Sequence, residues 1–194
     1  MKLTVEELIA RASHYWPADF EWHARGERPP EIDRLFGLYK QEWPRRGTQW
    51  LALVEALRQQ LPGYSIYNST VPSDPSFRFT LRPPKEQLKP RLEQMVVGCM
   101  SLIAPVYSVY GLQYEYKRGK RSQHSNARLF LGELPPELKE PAEVAARQIE
   151  AHFGVERLTP DVAETPVPLY VDLKFPPHAT LFHALISDQA DSVY

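Results

Sequence analysis

The densest positive charge in the sequence follows a segment rich in tyrosine. Its members lie within residues 117–128 and are Lys117, Arg118, Lys120, Arg121, His124 and Arg128. Cations beside aromatic rings suit single-stranded nucleic acid, whose bases stack on the rings, and they suit an acidic protein surface equally well. A solvated hairpin tip beside core tyrosines has the same composition. Of the two functional interpretations, we favour a protein partner and keep nucleic acid as the alternative.

Two further features are expected to contribute to a binding surface. Arg78 and Arg82 lie on the same side of a predicted strand, which places a second positive row on the polar face of the sheet. Trp22 lies in a polar, loop-like stretch, and an exposed aromatic residue ringed by charge is the usual composition of a binding hot spot. The helical third has a high aromatic content, to which Trp16, Phe20 and Trp43 also contribute. We predict that Trp22, the two arginines and the basic segment form a partner-binding surface.

The segment His178-Ala-Thr180-Leu resembles the H-x-T-hydrophobic element of two-histidine phosphoesterases. In that family two copies face each other, and each supplies a histidine for acid–base chemistry and a hydroxyl group that binds phosphate. None of the other histidines has Ser or Thr two positions later, so the second copy is missing. A phosphoester hydrolase that uses His178 and Thr180 is therefore an alternative hypothesis. The simpler interpretation is that both residues begin the last helix.

The sequence contains no other motif for catalysis or for binding a cofactor. Paired cysteines, H-E-x-x-H, Gly-rich phosphate loops and G-x-S-x-G are all absent. Cys99 is the only cysteine, which excludes an intramolecular disulfide, and its apolar neighbours predict a buried, unreactive thiol. We predict no catalytic residue, no metal site and no cofactor.

Composition and charge are those of an ordinary soluble protein. Hydrophobic residues make up 43% of the chain and charged residues 24%, and the net charge of −1 argues against a general binder of polyanions. A single cysteine and an N-terminus without a signal-peptide pattern favour the cytoplasm. Residues 95–112 carry no formal charge, but Pro105 divides them. A buried helix leading into a buried strand is therefore preferred to a membrane span.

Nineteen prolines punctuate the chain, and they set most predicted boundaries. Residues 1–63 are expected to form three amphipathic helices. The first begins with a capping box at residues 4–7. The second runs from Pro30 to Pro44, and the third begins at Thr48.

After residue 63, a pattern of two strands and one helix occurs twice, over residues 64–104 and 106–153. The predicted strands cover residues 64–71, 77–82, 106–117, 128–131 and 167–175. The predicted helices cover residues 88–104, 142–153 (with Gly154 as the C-cap) and 179–187. Period-two alternation in the strands implies that one face of the sheet is polar and open.

The predicted fold is a single α+β domain over residues 1–194. N-terminal helices (1–63) precede a mostly antiparallel sheet of about five strands with helices packed on one face (64–194, ββα-ββα-βα). This layout and size resemble the immunity proteins of bacterial polymorphic toxin systems. The resemblance implies a non-catalytic cytoplasmic protein that binds a protein partner, and an adaptor for a secreted protein fits the same pattern. No membrane association is expected.

Overall fold

Helices flank a central antiparallel sheet in this α+β fold. The structure, a computed structural model, describes residues 3–21, 26, 28–87, 91–116, 124–172 and 174–187. The described helices are α1 (Val5–Ala12), α2 (Pro30–Gln60), α3 (Pro136–Phe153), α4 (Pro160–Ala163) and α5 (Leu181–Leu185), with a 3-10 turn at Lys85–Gln87. The described strands are β1 (Ser65–Asn68), β2 (Ser76–Arg82), β3 (Leu92–Ser101), β4 (Val106–Tyr116), β5 (His124–Phe130) and β6 (Glu156–Arg157).

Local signals set several helix ends as predicted. The capping box of α1 is present, because the Glu7 backbone N–H donates to Thr4 Oγ1 (3.2 Å) and the Thr4 N–H donates to Glu7 Oε2 (2.8 Å). Pro30 occupies the first turn of α2. Gly154 ends α3 in the left-handed conformation, with φ of 62°.

Helix α2 is continuous, so the predicted break at Pro44 and the predicted cap at Thr48 are wrong. Pro44 removes one backbone hydrogen bond, which on its own favours a kink or an end. Tertiary packing outweighs that loss. The rings of Trp43 and Trp50, on either side of the proline, lie 5.7 Å and 5.6 Å from the ring of Phe77 in β2. The helix is therefore anchored to the sheet both before and after Pro44.

The sheet is mostly antiparallel, with strand order β1-β2-β3-β4-β5. Strand β6 pairs in parallel with the start of β4, where Val106 faces Glu156. The strand predicted over residues 128–131 begins earlier in the structure, because β5 starts at His124. Its last pair with β4 joins Phe130 to Gly111.

Strand β3 occupies the segment for which a helix was predicted, residues 88–104. Leu92, Val96, Cys99 and Ile103 do have helical spacing, but from Met95 onward the residues between them are also apolar or small. Residues Met95 to Ser101 are all buried in the structure. A central strand covered on both faces reads as a continuous apolar run, and periodicity alone does not distinguish it from a buried helix.

Helices α2 and α3 pack on one face of the sheet. The ring of Phe79 lies 5.4 Å from that of Trp50, which anchors α2. Gly98 in β3 leaves room for Phe79, because a Cβ at this position would lie 2.2 Å from the ring. Gly111 in β4 likewise leaves room for α3, because a Cβ at this position would lie 3.2 Å from the Leu138 side chain.

The opposite face is also covered, so the predicted open polar face is wrong for the centre of the sheet. Ser76 donates a 2.6 Å hydrogen bond to the carbonyl oxygen of Ile186, and the ring of Phe182 lies 5.4 Å from that of Tyr110. Arg78 and Thr80 each retain only 1% of their exposure. Helix α5 and the chain that follows it therefore close this face.

The fifth strand predicted over residues 167–175 does not form among the described residues of that segment. Isolated bridges pair Pro166 with Thr180 and Val171 with Lys174. Pro168 lacks a backbone donor, and a tight turn at Asp172, with φ of 45°, reverses the chain. The alternation of apolar and polar residues in this segment therefore occurs in a chain that turns and does not join the sheet.

Candidate functional site

Three aromatic rings from two distant segments meet at the surface. The centroid of Phe20 lies 5.2 Å from that of Tyr170 and 5.3 Å from that of Phe175, and the Tyr170 and Phe175 centroids are 5.9 Å apart. These separations are typical of favourable aromatic pairs. Phe20 retains 37% of its exposure and Phe175 retains 43%. These three residues are called the aromatic patch below.

Backbone hydrogen bonds hold the aromatic patch together. The Tyr170 N–H donates to the carbonyl oxygen of Pro17 (2.8 Å), which ties the two segments to each other. Val171 and Lys174 exchange two hydrogen bonds of 2.9 Å and 2.8 Å. The resulting turn places Tyr170 and Phe175, which flank it, beside each other. The rings are therefore positioned by a fixed backbone.

Acidic residues accompany the rings along both segments. Asp19 and Glu21 precede and follow Phe20, and both are exposed. Asp172 is exposed at the turn between Tyr170 and Phe175. Its left-handed backbone is unusual for a residue other than glycine, and aspartate is among the residues that tolerate it. Each of the two segments that form the aromatic patch thus carries exposed acidic residues next to its rings in sequence.

A buried ion pair lies near the turn. Arg78 Nη1 is 3.4 Å from Asp74 Oδ2, and Arg78 Nε donates to the Ser69 carbonyl oxygen at 3.1 Å. Burial raises the pKa of Asp74; Arg78 partly opposes this effect, and the charge of Asp172 reinforces it. No described residue donates a hydrogen bond to Asp74 Oδ2. Desolvation therefore outweighs the attraction of the guanidinium for this carboxylate.

Cys99 and Tyr110 complete the buried polar cluster on this face. Burial raises the pKa of Cys99 to about 12, despite the nearby positive charge of Arg78. Burial also raises the pKa of Tyr110 well above its ordinary value. Both groups are neutral at physiological pH, and neither is exposed to solvent. The predicted burial of Cys99 is confirmed.

The structure separates the arginines that were predicted to act together. Arg78 is buried, so it is not accessible to a partner, and its predicted place in an exposed row is wrong. Arg82 lies on the same face as Arg78. Its guanidinium carbon is 5.9 Å from the ring of Tyr67, which is 52% exposed, and its Nε is 3.5 Å from Glu93.

Arg128 lies on the other face of the sheet, with its guanidinium carbon 4.7 Å above the ring of Phe130. The backbone of His124 begins β5. The remaining predicted binding residues lie outside the described residues: Trp22, Lys117, Arg118, Lys120 and Arg121. Their proposed role in binding stays a prediction.

Thr180 has a structural role at the start of α5. Its Oγ1 lies 2.9 Å from His183 Nδ1, and its backbone N–H donates to the same nitrogen at 3.1 Å. Thr180 is the N-cap residue of the helix, and His178 is exposed in the preceding turn. The threonine hydroxyl is thus engaged within the helix cap, in line with the simpler of the two interpretations of this motif.

A charged cleft of about 400 Å³ lies between α3 and the start of β4. Its walls carry Arg147 and Arg157, and at its floor the Tyr107 hydroxyl donates to Glu150 Oε1. Burial raises the pKa of Tyr107, and the neighbouring Glu150 adds to the effect. Glu133, Glu143 and Lys139 also line this cleft, so its charges are mixed. The cleft favours no single class of ligand.

The residues of the described ranges contain no group of three or more His, Cys, Asp or Glu side chains placed to hold a metal ion. The helices they form include none long and apolar enough to cross a lipid bilayer.

The sequence interpretation missed two members of the aromatic patch. Tyr170 and Phe175 both lie in the segment 167–175, for which a strand was predicted that does not form. The useful signal was the density of prolines around them, at positions 166, 168, 176 and 177. Prolines at this density oppose a sheet strand and favour turns, which leave aromatic residues at the surface.

No known protein family, no curated protein and no solved structure matches this chain.

Proposed function

We propose that this chain is a non-catalytic protein-binding protein whose partner docks on the aromatic patch. The class of function is that of an immunity or adaptor protein acting on a bacterial toxin or a secreted protein, the class that the layout predicted from the sequence resembles. A cytoplasmic location belongs to the same proposal. Trp22 is expected to extend the docking surface, because it follows Phe20 by two residues.

One observation carries this proposal: the contact of three aromatic rings outside the core. Phe20 and Phe175 remain exposed although the core nearby is closed. Aromatic side chains on a fixed backbone give large contact area with little loss of conformational entropy, and they dominate the energetics of protein interfaces. In a soluble monomer, an exposed cluster of aromatic side chains usually marks an interaction site.

The basic segment 117–128 is the alternative docking surface, for an acidic protein or for nucleic acid. Towards the other edge of the sheet, Tyr67 in β1 is 52% exposed beneath Arg82 in β2, an arrangement that also suits base stacking. The hydrolase hypothesis has weaker support, because the Thr180 hydroxyl contacts His183.

Site-specific photo-crosslinking tests the proposal. The photoreactive residue p-benzoylphenylalanine replaces Phe20 in one variant and Leu51 in a control, since Leu51 is 46% exposed on α2. A docking partner should crosslink through position 20 and not through position 51. The purified partner should then bind Phe175→Ala more than about tenfold more weakly than wild type, as expected for a hot-spot aromatic residue.

Leu51→Ala serves as the matched control for affinity, and its dissociation constant should stay within about threefold of wild type. Thermal melts should show that both variants are folded. If the captured partner is a toxin, co-expression of wild type should protect cells and Phe175→Ala should not. Equal crosslinking at both positions, or equal affinity of all three proteins, would contradict the proposal.

A further inference from the structure

The surroundings of the aromatic patch indicate the chemistry of its partner. We propose that the patch receives a cationic side chain, Arg or Lys, from the partner protein, and that Asp172 is the counter-ion for this group. The inference rests on the proposed function, because it specifies what the same surface recognises.

The arrangement of the rings is suited to a cation. Phe20 and Tyr170 are stacked with 26° between their planes, whereas Phe175 stands at 76° to Phe20. The rings of the patch therefore lie in two orientations, one close to parallel with Phe20 and one close to perpendicular to it. Cations bind over aromatic faces within about 6 Å of the ring centroid, and a guanidinium group also stacks on them.

Asp172 supplies the negative charge. It lies on the turn between Tyr170 and Phe175, two residues from the first ring and three from the second. Within the described part of the chain it forms no ion pair, not even with Lys174 on the other side of the same turn. The negative charge of Asp172 also acts on the interior, because it contributes to the raised pKa of the buried Asp74. A partner cation beside Asp172 would offset the negative charge at this point.

The layer that carries the patch is acidic as a unit. Residues 3–21 and 160–187 form this layer and contain seven acidic residues and two basic ones. A surface of one sign attracts partners of the opposite sign and raises the rate of encounter. The local counter-ion and the charge of the layer therefore favour the same partner, a protein with a basic contact surface.

A small-molecule probe tests the inference without the partner. N-acetyl-arginine methylamide is titrated into the full chain labelled with ¹³C in its Phe and Tyr rings, and N-acetyl-alanine methylamide is the reference. The arginine amide should shift the ring signals of Phe20, Tyr170 and Phe175, and added salt should reduce the shifts. Asp172→Asn should remove most of this response. Glu164→Gln, an exposed acid of the same layer, should retain it.

The partner captured by crosslinking supplies the second test. Asp172→Asn should weaken its binding by at least about tenfold, as for a charge that pairs inside an interface, and Glu164→Gln should leave the affinity within about twofold. Equal shifts with the two amides, or an unchanged response of Asp172→Asn, would overturn the inference.

The failures of the two proposals are distinguishable. A partner that requires Phe175 but is indifferent to Asp172→Asn and to salt refutes the cationic side chain and leaves the docking function in place. An arginine-specific response at the rings, together with equal crosslinking at positions 20 and 51, refutes the docking function and leaves only the affinity of the patch for a cation.

Discussion

Among the single residues of the fold, Arg78 stands out because its permanent positive charge is buried on the sheet. Its side chain is almost fully buried, and its contacts include the Asp74 carboxylate at 3.4 Å and the Ser69 carbonyl oxygen. Buried ion pairs are weak evidence for stability as a whole, but removing one partner leaves the other charge without compensation. The burial of Arg78 therefore makes its loss far more costly than the loss of a surface arginine.

Replacing Arg78 with Met should lower the free energy of unfolding at pH 7 by about 3–5 kcal/mol. In the variant, the pKa of Asp74 should rise further, because burial then acts without the opposing guanidinium. A carboxyl group whose pKa is raised on folding stabilises the fold below its unfolded pKa, and this contribution is lost as the pH rises through the folded pKa. Urea melts should therefore show a smaller gap from wild type at pH 5 than at pH 7.

Arg82→Met is the matched control for Arg78→Met. It lies on the same strand and the same face, but its side chain is 40% exposed. Its ion pair with Glu93 is screened by solvent, so the expected loss is below about 1 kcal/mol. Equal losses for the two variants, or a gap for Arg78→Met that widens as the pH falls, would contradict this account of the buried pair.

Cys99 should be unreactive in the folded protein. With a pKa raised from 9.0 to about 12, its thiolate at pH 8 is roughly a thousandfold rarer than that of a free thiol, and the sulfur is closed to solvent. Reaction with a disulfide reagent, followed by absorbance, should be slow under native conditions and fast in denaturant. Equal rates in the two conditions would show that the thiol is exposed.

Among the described glycines, Gly98 in β3 leaves the least room for a side chain, since a Cβ there would lie 2.2 Å from the Phe79 ring. Phe79 lies across Gly98 and also contacts Trp50. Replacing Gly98 with Ala should destabilise the protein by about 1–3 kcal/mol, because the new methyl group overlaps the Phe79 ring. Replacing Phe79 with Ala should cost about 3–5 kcal/mol through the cavity it leaves. Denaturant melts of both variants give these values.

The double variant tests whether these two effects share a cause. In the Phe79→Ala background the methyl group of Gly98→Ala enters the cavity, so the second substitution should cost less or become favourable. Gly132→Ala is the control, since its Cβ would have no atom closer than 3.8 Å, and it should change stability by less than about 0.5 kcal/mol. Additive losses in the double variant would show that Gly98 and Phe79 are not in contact.

The elements that depend on nearby residues were predictable, and those that depend on tertiary packing were not. The capping box at Thr4 and the glycine cap at Gly154 need only a few neighbouring residues, and both are confirmed. The continuity of α2 through Pro44 depends instead on aromatic contacts with β2, which sequence spacing does not contain. Strand β3 could not be separated from a helix because burial on both faces removes the alternation that marks a strand.

In the candidate site, too, the features set by nearby residues were predictable and those set by tertiary contacts were not. The aromatic richness near Phe20 was visible in the sequence, and so was the basic segment. The contact of Phe20 with Tyr170 and Phe175 joins residues about 150 positions apart, and it depends on the turn between Val171 and Lys174. Arg78 was placed on an exposed face because its alternation with apolar neighbours is the same whether the second face is open or covered.

Across the molecule, the aromatic patch and the strand ends that flank the basic segment lie at opposite ends of the sheet. The aromatic patch is at the end where β2 begins, since Asp172 acts on Asp74, two residues before Ser76. Tyr116 and His124, which pair with each other on either side of residues 117–123, lie at the end where β2 finishes. A partner of ordinary size would contact one end through its specific interface and reach the other only through long-range electrostatics.

Association kinetics with the captured partner should identify the end that it uses. If a basic partner docks on the acidic layer, reversing the charges of Lys120 and Arg121 to Glu should leave its association rate unchanged or slightly faster, because a distant repulsive charge is removed. Reversing Asp19 and Asp172 to Lys should slow association by about tenfold or more at low salt, and the difference should shrink as salt is added. Stopped-flow measurements at several ionic strengths provide both rates. A strong slowing by the Lys120/Arg121 variant, with little effect of the Asp19/Asp172 variant, would place the partner on the basic segment and make it an acidic one.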